Sequence, residues 1–203
     1  GIHLQAITIS IVKKLQTILH APRVVEWGGS GGGFAAIRIA KDVPNSIALV
    51  WNPQTDIAKF APEPVARYRS IAFPRIATDG PIPSDGEQFP SLCTAEFVAG
   101  YQGRILYMQE STDGHVKAHL VPFLANFCGK ALSDITDSSN FSGFVTDQMY
   151  LHLAHWGNGH VPPSKDSLTK VLTLLSDVTM NLENLENSKS FPGEIIENIA
   201  VNL

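Results

Sequence analysis

Ser30 stands in Gly28-Gly29-Ser30-Gly31-Gly32, a G-x-S-x-G pentapeptide. A serine lifted on a tight strand-to-helix turn needs strained backbone angles. Its neighbours two before and two after then come too close for side chains, which glycine at Gly28 and Gly32 answers. The hydroxyl would sit at a helix N-terminus, where the dipole favours developing negative charge. The Gly31 N–H would face an oxyanion. A serine hydroxyl is a weak nucleophile without a base. His160, in a Gly157-Asn158-Gly159 loop, is the candidate base. An imidazole in that role needs a carboxylate to hold its tautomer and stabilise its cation. Asp113 is the leading candidate, Asp56 the rival and Glu110 a distant third. The chemistry of such a set is nucleophilic acyl transfer.

The elements that must position these residues alternate. Leu4, Ile7, Ile11, Leu15, Ile18 and Leu19 recur at three and four, so residues 3–20 are predicted to form an amphipathic helix, with Pro22 just beyond it. Val24-Val25-Glu26-Trp27 reads as a strand, 28–33 as a glycine turn, and the apolar run from Phe34 to Ala40 as a helix packed on both sides. Ile47–Trp51 is a second buried strand, broken by Asn52-Pro53-Gln54-Thr55-Asp56. The stretch 58–103 holds many prolines and reads as irregular excursions with short helices. It is a possible cap over the single domain, with Phe60, Tyr68, Phe73 and Phe89 to wall an apolar pocket. Ile105–Gln109 is a third strand, ending in Ser111-Thr112-Asp113-Gly114. Residues 115–127 are helical in part, with Pro122 interrupting, and Met149–His155 is a fourth strand. The loop 156–163 follows. A last helix starts at Ser164, a good N-cap, and shows Leu168, Val171, Leu172, Leu174 and Leu175 as its apolar face. The tail after Met180 is polar, with a short helix near 194–201 or a frayed end. Strands alternating with helices imply an α/β fold, a mostly parallel sheet with helices on both faces. Ligands then sit at the carboxyl ends of the strands, where Ser30, Asp113 and His160 all fall.

Together these residues resemble the α/β-hydrolase superfamily over about residues 3–180. Glu26-Trp27-Gly28-Gly29-Ser30-Gly31-Gly32-Gly33 resembles its nucleophile elbow, and the Asp113 turn and the Gly159-His160-Val161-Pro162-Pro163 loop fall where that fold carries its acid and histidine. More narrowly, the chain is similar to bacterial α/β-hydrolase-like proteins encoded near surface-glycan genes. The resemblance implies a serine esterase with a Ser30-Asp113-His160 triad and no cofactor. It acts on a small-molecule or glycan ester, or transfers the acyl group to a glycan hydroxyl. It also implies strands ahead of the first helix, with a loop donating a second oxyanion N–H. The chain opens on Gly1 at that helix, so it reads as a fragment or a processed chain.

Other chemistries fit less well. Gly31, Gly33 and Ala36 match G-x-G-x-x-A, with Asp56 twenty residues further on. This echoes a dinucleotide-binding turn, but it leaves Ser30 and His160 unexplained. No lysine follows the glycines, which excludes a Walker-type phosphate loop. His115 and His119 lie at i,i+4, and His152, His155 and His160 are close in sequence, which raises a metal site; no H-E-x-x-H motif is present. A non-catalytic relative that binds a partner or glycan is the remaining alternative. The chain has 203 residues, 44% hydrophobic and 17% charged, at net charge −4, an ordinary globular composition without a basic stripe for nucleic acid. Cys93 and Cys128 read as two buried reduced thiols, which points to a reducing, cytoplasmic compartment. No apolar run reaches the ~20 residues of a membrane span.

Overall fold

A computed structural model describes residues 2–72, 91–128 and 140–177. Its centre is a five-stranded sheet in the order β1-β2-β3-β5-β4. The strands are β1 (Val24–Gly29), β2 (Ser46–Trp51), β3 (Arg104–Glu110), β4 (Phe141–Thr146) and β5 (Met149–Ala154). β1, β2, β3 and β5 run parallel, and β4 pairs antiparallel with β5. The α/β class and the mostly parallel sheet stand as the alternating pattern predicts. β4 is an addition. Its Phe141-Ser142-Gly143-Phe144-Val145-Thr146 is half-buried throughout, so no hydrophobic run marks it.

The central strands β2, β3 and β5 are buried nearly end to end, because helices cover both faces. On one face, Phe34, Ile37 and Ala40 of α2 (Ser30–Ala40) pack with Ala48, Val50, Ile105 and Tyr107. Phe123 and Leu124 of α5 (Val121–Phe127) close the same cluster. On the other face, Val171 and Leu175 of α6 (Lys165–Ser176) cover Ile47, Leu49, Leu106 and Tyr150. The Ser164 hydroxyl caps α6 by accepting from Ser167 N, as its position predicts. Pro122 does not break the 115–127 helix. It lies in the first turn of α5, directly after a π-helical turn at Val116–Leu120.

The segment from 58 on supplies a 3₁₀ turn at Ile57–Lys59, then α3 (Pro62–Ala72) and the short α4 (Ala95–Val98). Phe73 and Phe89 lie outside the described residues, as does the tail after Met180. The predicted first helix is present as α1 (Ile2–Ile18). Its apolar residues Leu4, Ile7, Ile11, Leu15, Ile18 and Leu19 nevertheless keep about half or more of their surface exposed. Helical periodicity selects the stripe but not the surface it lies against. Cys93 and Cys128 share no disulfide and are half-buried, so the expectation of buried thiols is corrected. Among the described residues no helix is long and apolar enough to cross a membrane.

Glu26 gives the sheet a pH dependence. Both carboxylate oxygens are buried without a hydrogen-bond partner among the described residues. Burial raises its pKa to about 7, against a smaller opposing effect of its own backbone N–H, which lies outside hydrogen-bond geometry. A raised folded pKa means its contribution to stability is intact below the unfolded value of 4.5 and is lost as pH rises through about 7. Glu26→Gln is therefore expected to melt like the wild type at pH 4.5 and higher than it at pH 8. Thermal unfolding at the two pH values checks this, and an equal shift at both refutes it.

Candidate functional site

The parallel strands bring their carboxyl ends to one edge. Gly29 pairs with Trp51, Trp51 with Met108 and Glu110 with Ala154. The segments beginning at Ser30, Asn52, Ser111 and His155 therefore leave the sheet side by side. Ser30 lies at the junction of β1 and α2 with φ of +51°, in the left-handed region that few non-glycine residues occupy. A Cβ on Gly28 would come within 2.7 Å of the Gly32 carbonyl carbon. Gly32 itself has open space around its Cα. The motif thus needs glycine at Gly28 for its close approach, and the expectation that Gly32 must also be glycine for lack of space is corrected, because only its backbone is crowded. No side chain caps α2, so its first-turn N–H groups, Gly31 among them, are not taken by a cap.

Asp113 and His160 meet. His160 Nδ1 lies 2.6 Å from Asp113 Oδ2, and the carboxylate is buried while the imidazole stays open to solvent. Asp113 Oδ1 accepts from His115 N at 2.9 Å, which fixes the carboxylate's orientation. With Nδ1 turned to the carboxylate, His160 offers Nε2 outward. Gly159, at φ of +73°, makes the bend that delivers His160, and its N–H donates to Thr112 Oγ1. Ser30 shares this edge but makes no hydrogen bond to His160. Among the described residues its hydroxyl has Gln54 Nε2 at 3.5 Å.

The rival acids hold other posts. Asp56 accepts from Ala58 N and caps the 3₁₀ turn. Glu110 is fully buried and serves as a clamp. Its Oε1 accepts from Thr112 N, Thr112 Oγ1 and His155 Nδ1, and its Oε2 from Trp156 N and Gly157 N. Burial alone would raise its pKa. The backbone donors Thr112 and Trp156, then His155 and the Thr112 hydroxyl, outweigh burial and hold it below the usual value. The residues of the dinucleotide-like pattern, Gly31, Gly33 and Ala36, lie inside α2 and not in a turn ahead of it.

Three residues to which the sequence assigned no part in the triad shape the site. Asn52, at φ of +42°, donates to Val161 O and accepts from Glu110 N and Gln109 Nε2, joining β2, β3 and the histidine loop. Gln54 donates its backbone N–H to Ser30 O and turns its amide to the serine hydroxyl. His115 binds the Asn52 carbonyl through Nδ1, its ring 4.3 Å from that of His160. Burial lowers its pKa, with His160 adding to that and the Asn52 carbonyl and Asp113 opposing it. Asn52-Pro53 directly after a buried strand was the available signal for the first two; nothing in the pattern marks His115 as a neighbour of His160. The histidine spacing singled out His115 and His119, whose rings do meet, edge-on at 4.5 Å. The donors that gather within 4.8 Å are instead Asp113, His115 and His160. Both Nδ1 atoms there are already engaged, which leaves the two Nε2 atoms for any metal. His119 faces Thr55 N, and burial first, then His115, lowers its pKa to about 4.

Removing the Glu110 charge tests the clamp. Glu110→Gln is expected to lower stability by about 3 kcal/mol, since an amide cannot accept on both sides of the carboxyl. Amide exchange at Trp156 and Gly157 should accelerate with it. The depressed pKa places the effect above pH 4.5, and it should fade as pH falls further. Unchanged exchange at these two amides would refute the clamp.

Compared with family models, curated proteins and solved structures, the chain has no match.

Proposed function

We propose that this chain is a serine hydrolase of the α/β-hydrolase type that cleaves an acyl ester through a Ser30 acyl-enzyme. One observation carries the reading. A strained serine on a strand-to-helix turn shares a sheet edge with a His160–Asp113 pair at 2.6 Å. The strand order supports it: the serine strand, one strand between, the strand before the acid and the strand before the histidine. The chain order Ser, Asp, His is also that of the superfamily.

His160 Nε2 takes the Ser30 proton as Oγ attacks the ester carbonyl carbon. Asp113 holds Nδ1–H and stabilises the imidazolium. The Gly31 N–H and the Gln54 side-chain amide donate to the oxyanion. His160 then returns its proton to the leaving alcohol, and water activated by His160 releases the acid. Hydrogen bonds between nucleophile and base commonly tighten only in the substrate complex. The same acyl-enzyme transfers its acyl group to a glycan hydroxyl if that hydroxyl replaces water. A dinucleotide site draws less support, because the Asp56 carboxylate is spent on a cap.

A fluorophosphonate probe is expected to form one adduct, on Ser30, that disappears in Ser30→Ala and His160→Ala. Asp113→Asn should slow labelling by roughly 10⁴-fold, because it leaves the imidazole in the wrong tautomer. Gln54→Leu should slow it by roughly 10²–10³-fold as a lost oxyanion donor. Intact mass and peptide mapping of folded protein give the answer. An adduct elsewhere, or none, refutes the reading.

A further inference from the structure

A cavity of about 490 Å³ opens beside the serine. Gly31 and Gln54, the two residues assigned to the oxyanion, stand in its wall. From there it runs between α1, α2 and α3. Leu4, Phe34, Ile39, Ile57, Phe60 and Val65 make most of it apolar. Phe60 and Tyr68 take part, as expected of the 58–103 segment.

Among the described residues that line the cavity, Arg38 is the one that carries a charge, beside the neutral polar Gln5, Thr8, Gln54 and Tyr68. It follows Gly31 by seven residues, so both lie on one face of α2. Two helical turns separate their Cα atoms by roughly 10 Å. A long helical side chain tends to lean toward the helix N-terminus, which in α2 is the serine end. Its Nε donates to Gln5 Oε1. Among the described residues no carboxylate forms an ion pair with it. Asp42 is near enough only to act on its charge at a distance. Burial lowers its pKa, with Tyr68 and Asp42 opposing. A guanidinium has five donors in a planar fork suited to a carboxylate. Among the described residues one donor is used, by a half-buried side chain in a largely apolar wall.

We propose that the cavity is the acyl pocket and that it selects an acyl group with an apolar chain ending in a carboxylate, which Arg38 binds. The inference rests on the serine-hydrolase reading for its orientation. The ester carbonyl lies at Ser30 and Gly31, the chain runs along α2, and the terminal carboxylate meets the Arg38 fork. A guanidinium–carboxylate contact in a desolvated wall supplies roughly tenfold or more in selectivity.

The test compares two fluorophosphonates of equal chain length, one ending in methyl and one in carboxylate. The wild type is expected to label at Ser30 at least tenfold faster with the carboxylate probe. In Arg38→Gln the ratio of the two rates should fall to near one, and Arg38→Lys should keep part of it. A ratio near one in the wild type overturns the proposal. So does a preference that survives in Arg38→Gln. Binding to Ser30→Ala, measured by calorimetry with methyl octanoate and with suberate monomethyl ester, separates this from the catalytic reading. Suberate preference that depends on Arg38, without labelling of the wild type, retains the pocket and removes the serine hydrolase. Labelling without any such preference does the reverse. A variant that fails to melt cooperatively is replaced by Arg38→Lys, whose intermediate ratio is the deciding value.

Discussion

The site depends on one buried carboxylate. Glu110 ends β3 with no exposed surface, and both its oxygens are filled by donors from its own turn and from the loop after β5. A buried charge is tolerable only when it is fully hydrogen-bonded, and a partly satisfied one is costly. The loops of β3 and β5 are therefore not free to take separate conformations. Asp113 lies three residues beyond Glu110 and His160 three beyond Gly157, and their 2.6 Å contact follows from the anchoring. Asn52 extends the same logic to β2, because its amide binds Glu110 N on one side and Val161 O on the other.

Around this lattice the electrostatics are graded. His119 is buried and held neutral at physiological pH, with a pKa of about 4. His115 stands between it and His160, edge-on to the first ring and tilted against the second. Its backbone N–H orients Asp113, and its Nδ1 is committed to the Asn52 carbonyl. The row of rings thus passes from a neutral interior to the open imidazole of His160, whose outward nitrogen is left for chemistry. A largely apolar cavity lies along α2, with Gly31 and Gln54 in its wall and neither His115 nor His160 among its lining residues.

Much of this was legible in the sequence for local reasons. The glycine turn at Ser30 announces itself because tight backbone approach excludes side chains, and Gly28 bears this out at 2.7 Å from the Gly32 backbone. Asp113 and His160 were legible because turns after buried strands fall on one edge of a parallel sheet. Glu110 ranked as a distant rival acid because residue type alone cannot tell a base-orienting carboxylate from a clamp. β4 escaped because its half-buried residues do not alternate clearly. α1 was legible as a helix, yet its stripe carried no information on what it would face.

The amino-acid sequence by itself determined most of the elements, the class of the sheet and the edge on which the candidate residues lie. Periodicity, strand-end turns and glycine sterics act over a few residues, so they can be read locally. Only the tertiary structure decided which carboxylate meets His160, that Gln54 turns its amide to Ser30, that His115 lies against His160, and that Arg38 enters a largely apolar wall. Those are contacts between residues far apart in the chain. They follow from strand order, register and loop anchoring, which no local pattern encodes.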